Sequence, residues 1–346
     1  MKRITTLLLS MVLTFCLSAC GQNSESITFS QWNSQSPAIE TLKAYVEDAT
    51  NEASAGFIPK EDRIAVFDMD GTLMCELFPA YFEWLMFTER ALNDPTYTAP
   101  DAVQQEARRV LAAIEAGNKF PEDMERTEAI MGARAFAGMT TDAYADYVRM
   151  FMDTPAKGFE NLKRGDALYL PMLEIISYLQ QNQFIVYIVT GTDRFAVRTI
   201  IDGVIDIPPR QVIGMDVSLV ASGQDERDGL DYVYTAEDVM ERGDELLVKN
   251  VKMNKVSLLT QELGQQPVLA FGNSSGDTSM MNYTTSNNPY KSLAFLVVND
   301  DTQREYGEPE KSAKMKAIAE QNGWTVISMR DDFKTIYGEN VTKKAD

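Results

Sequence analysis

Arg63-Ile-Ala-Val-Phe-Asp68-Met-Asp70-Gly71-Thr72-Leu-Met-Cys-Glu76 is a short apolar run that ends at two aspartates. Residues 64–67 carry no polar side chain and include β-branched ones, the composition of a strand buried in a parallel sheet. On an open α/β sheet, ligands sit beyond the carboxyl ends of the strands, and Asp68 and Asp70 stand at such an end. Two carboxylates there can share a divalent cation with other oxygen ligands. One of them can also attack phosphorus as a nucleophile. Gly71 lets the backbone turn sharply and come close to a ligand. An Asp-Gly pair also marks plain turns, so the rest of the chain must supply the other parts of a site.

Further strands follow the same pattern. Residues 184–189 are apolar and run into Thr190-Gly191-Thr192-Asp193. A hydroxyl at a strand end, before a glycine and a helix start, can hydrogen-bond a phosphoryl oxygen. Residues 268–271 form a third such run and lead into Gly272-Asn273-Ser274-Ser275-Gly276-Asp277. Residues 293–298 and 324–328 read as two more strands, with a helix at 309–322 between them. Helical spacing also marks 36–51, 170–182 and 254–263, the last containing Lys255. Strands alternating with helices predict an α/β fold, a doubly wound parallel sheet.

A long insertion, 73–167, interrupts this alternation. Residues 81–92, 101–116 and 122–137 are amphipathic and helical in spacing. Thr141-Asp142 reads as the N-cap of a fourth helix reaching 152. No strand is legible there. Tyr81, Phe82, Trp84 and Phe87 lie at helical spacing and read first as core of this insertion. An aromatic cage for a cationic group is the lesser reading. Residues 211–237 read as short strands, divided into a hairpin by a turn at 222–229.

The Asp-x-Asp-Gly-Thr stretch, Thr190, Lys255 and the Gly-Asn-Ser-Ser-Gly-Asp loop together resemble, in order, the four motifs of the haloacid dehalogenase-like hydrolases. The resemblance covers roughly Ile64 to Ile336 and is nearest to the phosphoserine phosphatase-like branch, with its helical cap. It implies a Rossmann-like core over 37–72 and 168–346 and a cap over 73–167. A cap that closes over a site excludes water and selects the substrate.

The resemblance also implies a Mg²⁺-dependent phosphomonoester hydrolase, a phosphatase acting on a small phosphorylated metabolite. Asp68 would attack phosphorus to give an aspartyl-phosphate. Asp70 would protonate the leaving alcohol and then deprotonate water. Carboxylates of Asp68 and Asp277 and the backbone carbonyl of Asp70 would hold the metal. Thr190, Lys255 and N–H groups near Met69 and Gly191 would hold the phosphoryl oxygens. Asn273 stands where the fourth motif has its first aspartate, so one acid fewer lies near the metal. Lys249 and Lys252 are rivals of Lys255 for the phosphate-binding role. Glu76 lies near the place of a substrate-meeting acid in related enzymes, off by a residue, and is assigned no role. Asp70 suits an alcohol leaving group, which disfavours dehalogenation. A phosphotransferase acting on a second alcohol and a silent binding lipoprotein are the other readings.

Composition narrows the chemistry. The 346 residues contain no histidine, which removes Ser-His-Asp and Cys-His catalysis, phosphohistidine chemistry and the usual histidine-rich zinc sites. A net charge of −19 disfavours nucleic acid as a partner. With cysteines only at 16, 20 and 75, there is no disulfide framework. Met1-Lys2-Arg3 and the apolar residues 4–17 read as a signal peptide over 1–19. Leu17-Ser18-Ala19-Cys20 resembles a bacterial lipobox, with Cys20 lipidated and 20–36 as a tether. That predicts a protein anchored by lipid in a bacterial cell envelope. The sequence leaves the oligomeric state open.

Overall fold

Strand β1 (Ile64–Phe67) turns Ile64 and Val66 to one apolar cluster and Ala65 and Phe67 to another, and all four are buried. Such alternation between two cores requires a sheet covered on both faces. The structure, a computed structural model, describes residues 27–76 and 79–344. The expected signal peptide, Cys20 and residues 20–26 of the tether lie outside the described residues.

A two-residue strand, β2 (Phe159–Glu160), lies apart from the main sheet. The main sheet combines β1 with β3 (Ile185–Asp193), β4 (Val212–Ala221), β5 (Met240–Val248), β6 (Leu269–Gly272), β7 (Leu293–Val298) and β8 (Thr325–Ser328). Its order is β5-β4-β3-β1-β6-β7-β8. Every neighbouring pair is parallel except β4 with β5. The chain moves outward from β1 through β3 and β4 to β5, then returns to β6 and moves outward on the other side. The direction reverses beside β1, and an open α/β sheet forms its ligand crevice at such a switch point. β2 pairs antiparallel with β9 (Thr342–Lys343).

Helices α1 (Pro37–Thr50), α6 (Leu170–Gln181) and α7 (Arg194–Ile201) cover one face through Leu42, Tyr45, Ile175, Leu179 and Ile200. On the other face, α8 (Met253–Leu263), α9 (Thr278–Thr285) and α10 (Pro309–Asn322) bury Leu259, Met280, Met281 and Met315. A short α11 (Met329–Asp332) follows β8. The fold is therefore α/β with a mostly parallel seven-stranded sheet and flanking helices.

Between β1 and β3 lie α2 (Phe82–Leu92), α3 (Asp101–Glu115), α4 (Met124–Ala135) and α5 (Thr141–Met152). These are the helices expected of the cap. The α5 N-cap is Thr140, one residue before the expected position, and its Oγ1 accepts the Ala143 N–H at 3.0 Å. Thr140 stays extended at ψ 156°, and an N-cap residue needs that backbone.

Two expectations need correction. Residues 27–36 do not form part of a free tether. Phe29 and Trp32 are buried in the core, the Trp32 indole donates to Pro171 O at 2.9 Å, and its ring meets Phe333 edge-on. Polar neighbours hid these two anchors. The hairpin is real, but its second strand is β5 and not part of 211–237. The intervening loop is pinned by Asp238, whose carboxylate accepts from Gly223 N, Thr235 N and the Tyr232 hydroxyl. β5 is an edge strand rich in charge, which blunts its strand signal.

Candidate active site

The strand ends of β3, β1 and β6 are adjacent, so the three acidic or hydroxyl-bearing turns after them face one cleft. Asp68 follows β1, and its N–H continues the ladder by donating to Phe271 O at 2.9 Å. Its carboxylate is buried, with Oδ1 at 2.6 Å from Lys255 Nζ. Lys255 lies in the first turn of α8. The same ammonium donates to Asp277 Oδ1 and to Val189 O, each at 2.6 Å. The start of α8 is held by the fourth-motif loop, where Lys252 N donates to Gly276 O at 2.8 Å. Lys252 has φ 53°, a left-handed backbone that a non-glycine residue adopts at a cost.

Asp277 also shapes its own loop. Its Oδ2 accepts the N–H groups of Asn273 and Ser274 at 2.9 and 3.1 Å. Burial raises the Asp68 carboxyl well above its usual range. Asp277 and Asp70 add to the rise and Lys255 opposes it. For Lys255, burial works against the charge, but Asp277 and Asp68 outweigh it and raise its affinity for a proton. Lys255 is thus the charged lysine between the two carboxylates. Lys249 pairs with Glu83 of α2 at 3.4 Å instead.

Asp70 is turned away from that pair. Thr192 Oγ1 donates to its Oδ2 at 2.7 Å, while Oδ1 is buried without a partner. Burial raises the Asp70 carboxyl, against the Thr192 hydrogen bond and Lys249. A carboxyl held off the lysine, with one oxygen unpartnered, is suited to exchanging a proton.

Thr190 is fully buried within β3, where the pairing with β4 shifts register between Val189 and Asp193, and its Oγ1 accepts the Thr192 N–H at 3.0 Å. Gly191 and Thr192 line the cleft. Thr192 was not singled out in the sequence, although it repeats the Thr-Gly-Thr pattern one step later. Met69 is buried, and its carbonyl accepts the N–H groups of Thr72, Leu73 and Met74, closing the turn behind Asp68. Asn273 lines the cleft and donates from Nδ2 to Glu76 Oε2 at 3.0 Å. Glu76 also accepts from the Tyr81 hydroxyl and pairs with Lys311 at 3.3 Å. Lys311 stands on α10, and no local pattern points from there to the cleft. Gly71 has φ 79°, and a Cβ there would lie 2.7 Å from Asn273 Cγ.

Residues of the helical insertion between β1 and β3 also line the cleft. Tyr81, Trp84 and Phe120 line it with Glu83, Glu122 and Glu125. Phe82 and Phe87 turn into the core instead, Phe82 packing against Phe151. A buried network ties cap to sheet. Asp193 N donates to Glu83 Oε1 at 3.2 Å, and Arg242 of β5 pairs with Asp193 at 2.7 Å. The Arg242 guanidinium lies 3.8 Å from the centre of the Tyr144 ring on α5.

Among the described residues, no three acidic, cysteine or histidine side chains form a metal-binding group. A hard cation such as Mg²⁺ takes one or two carboxylates with carbonyl and water oxygens, so Asp68, Asp277 and the Asp70 carbonyl fit its chemistry.

A profile described as haloacid dehalogenase-like hydrolase matches residues 65–282. No curated protein matches the chain. Among solved structures, the chain is similar to a conserved, functionally unknown protein from Anaerococcus prevotii DSM 20548. The TM-score is 0.51 at 12% identity, over 84% of this chain and 91% of that one. It is also similar to cytosolic 5'-nucleotidase IIIB bound to cytidine, with TM-score 0.50 at 12% identity, over 88% of this chain and 90% of that one. A protein of unknown function from Bordetella pertussis Tohama I aligns at TM-score 0.48 and 16% identity, over 77% and 97% of the two chains. The two likenesses with the higher TM-scores agree with the fold, and the profile spans more than half of the chain from β1 into α9. The chain belongs to the haloacid dehalogenase-like hydrolases.

Proposed function

We propose that this protein is a Mg²⁺-dependent phosphatase that hydrolyses a small phosphomonoester through an aspartyl-phosphate on Asp68. The observation that carries the reading is the division of labour between two aspartates of one turn. Asp68 is tied to Lys255 at 2.6 Å, while Asp70 keeps an unpartnered oxygen beside the same cleft. Asp68 is the nucleophile, its carboxylate kept available by Lys255. Asp70 gives its proton to the departing alcohol and takes one from the water that cleaves the aspartyl-phosphate. Lys255 and the N–H groups near Met69 and Gly191 hold the phosphoryl oxygens, with Thr190 and Asn273 supporting the turns that carry them. Mg²⁺, when bound by Asp68, Asp277 and the Asp70 carbonyl, supplies charge neutralisation at the phosphate.

Phosphate release from a panel of phosphomonoesters tests the reading. Dialysis against EDTA should abolish release and Mg²⁺ should restore it. Asp68→Asn should form no hydroxylamine-sensitive phosphoenzyme. Full activity in chelator would overturn the metal, and a phosphoenzyme in Asp68→Asn would overturn the nucleophile. The proposal extends to the cell envelope, with the mature chain anchored by lipid on Cys20, on the strength of Leu17-Ser18-Ala19-Cys20. Cys20→Ser should then move the protein from the membrane fraction to the soluble one.

A further inference from the structure

The path of the chain just before α1 fixes the direction in which an N-terminal anchor pulls. The Trp32 indole donates to Pro171 O, in the first turn of α6, at 2.9 Å. One residue back, Gln31 N donates to Glu174 Oε2 at 3.1 Å, and Ser30 Oγ donates to Glu174 Oε1 at 2.7 Å. Phe29 then meets Tyr178, further along the same helix, with ring centroids 5.0 Å apart. From 32 back to 29 the chain therefore follows α6 from its first turn toward its last. That last turn stands beside the starts of β1 and β3, where Ile185 N donates to Arg63 O at 2.8 Å and Arg63 Nη1 to Asn182 O at 3.3 Å. The cleft lies at the other end of the sheet, beyond the carboxyl ends of the strands.

Segment and cleft also lie on opposite faces of the sheet. Phe29 is buried in the core beneath α1 and α6, Ile27 packs against it, and the Lys43 ammonium of α1 lies 5.4 Å from the centre of the Phe29 ring. On the other face, Lys252 and Lys255 at the start of α8 and Lys311 of α10 line the cleft, while no described residue of α1 or α6 does.

Length decides what this means for an anchored chain. Seven residues separate Cys20 from Ile27. An extended chain gains at most about 3.6 Å per residue, so the reach of this tether is about 25 Å. A body of about 320 residues has a radius of gyration of about 20 Å and is about 50 Å across. The tether is too short to carry the anchor round the body to the cleft. With a net charge of −19, the body has no general attraction to an anionic leaflet that would turn it over.

We infer that the anchored protein holds the α1–α6 face and the strand-start end of its sheet toward its own bilayer and turns the cleft away from it. The partner of that face is a lipid surface, and the substrate reaches the cleft from the water. This rests on the lipid-anchor reading above and adds an orientation to it.

The experiment uses the full-length protein, extracted from the membrane fraction and reconstituted on phosphatidylcholine vesicles that carry an acceptor dye on their headgroups. A donor dye is attached to a clickable azido amino acid in place of Ala53 or, separately, of Met253, both exposed. Ala53 follows α1 at the strand-start end, where the Tyr45 hydroxyl donates to Lys291 O at 3.0 Å. Met253 opens α8 next to Lys252 of the cleft. Energy transfer to the lipid should be higher from position 53 than from 253 by about two-fold or more, for a body about 50 Å across. Inserting about twenty Gly and Ser residues after Gln22 lengthens the tether enough for the body to turn over, and the ratio should then fall toward one. Equal transfer from the two positions in the parent chain, or higher transfer from 253, would overturn the inference and leave the anchor standing. A ratio unchanged by the longer tether would also overturn it. Release of the parent chain from the vesicles on washing, as expected of Cys20→Ser, would overturn the anchor reading and the inference with it.

Discussion

Lys255 and Asp68 form a buried ion pair, Nζ to Oδ1 at 2.6 Å, although they are far apart in sequence. The same lysine reaches Asp277, so one cation holds two carboxylates that would otherwise repel. Lys255→Met keeps much of the apolar stem and removes the charge. Breaking a buried pair from one side costs about 3 to 5 kcal/mol, because a charge is left uncompensated. Urea denaturation in chelator should show a loss of that order, and phosphate release should fall by about 10²-fold or more. A variant as stable and active as the parent would remove Lys255 from the site.

Asp70 should matter in a way that depends on the leaving group. With Asp70→Asn, an activated aryl ester needs no proton at its oxygen, whereas an alkyl ester does. General acid catalysis is worth about 10² to 10⁴-fold, so the alkyl ester should lose that much more than the aryl ester. Thr192→Val removes the 2.7 Å hydrogen bond to Asp70 and should act in the same direction, more weakly. Equal slowing of both esters in Asp70→Asn would reduce Asp70 to a structural residue.

Glu305 offers a pH test away from these residues. It is buried, and burial pushes its carboxyl from 4.5 up to about 7, against hydrogen bonds donated by the Tyr337 hydroxyl and the Tyr306 N–H. The folded state then keeps a proton where the unfolded chain has released it. Stability therefore falls as pH rises from about 4.5 to about 7 and levels off above that. The span corresponds to about 3 kcal/mol at most. Glu305→Gln cannot titrate, so its urea midpoint should vary less with pH over this window. Identical pH profiles for the two proteins would contradict the shift.

Much of the fold was legible because its strands are continuous apolar runs ending in turn residues, as in 64–67 and 293–298. The placement of Asp68 and Lys255 in one cleft was legible because each sits at a strand end or on the first turn of a helix, places fixed by local pattern. What was missed depends on tertiary contact. Lys311 arrives from a helix beyond the last motif, and Thr192 is chosen over Thr190 for Asp70 by the way β3 ends. β5 was misplaced because an edge strand carries charge in place of apolar alternation. Trp32 looked like tether because its polar neighbours outweigh one buried indole in any local average.

Gly71 separates two effects that usually come together. It has φ 79°, so alanine there pays the backbone cost of a left-handed residue. A Cβ would also meet the Asn273 amide, with Cγ at 2.7 Å, and Glu76 Oε2 at 2.9 Å. Gly264, the C-cap of α8, has φ 72° and nothing within 4 Å of an added Cβ. Gly264→Ala therefore measures the backbone cost alone, about 1 kcal/mol. Gly71→Ala should lose that and a further 1 to 3 kcal/mol or so, since crowding forces side chains out of place. The displaced side chains are Asn273 and Glu76, at the back of the cleft, so phosphate release should fall in Gly71→Ala and stay near the parent value in Gly264→Ala. Equal stability losses in the two variants would mean that Asn273 and Glu76 yield freely and that Gly71 serves only its turn.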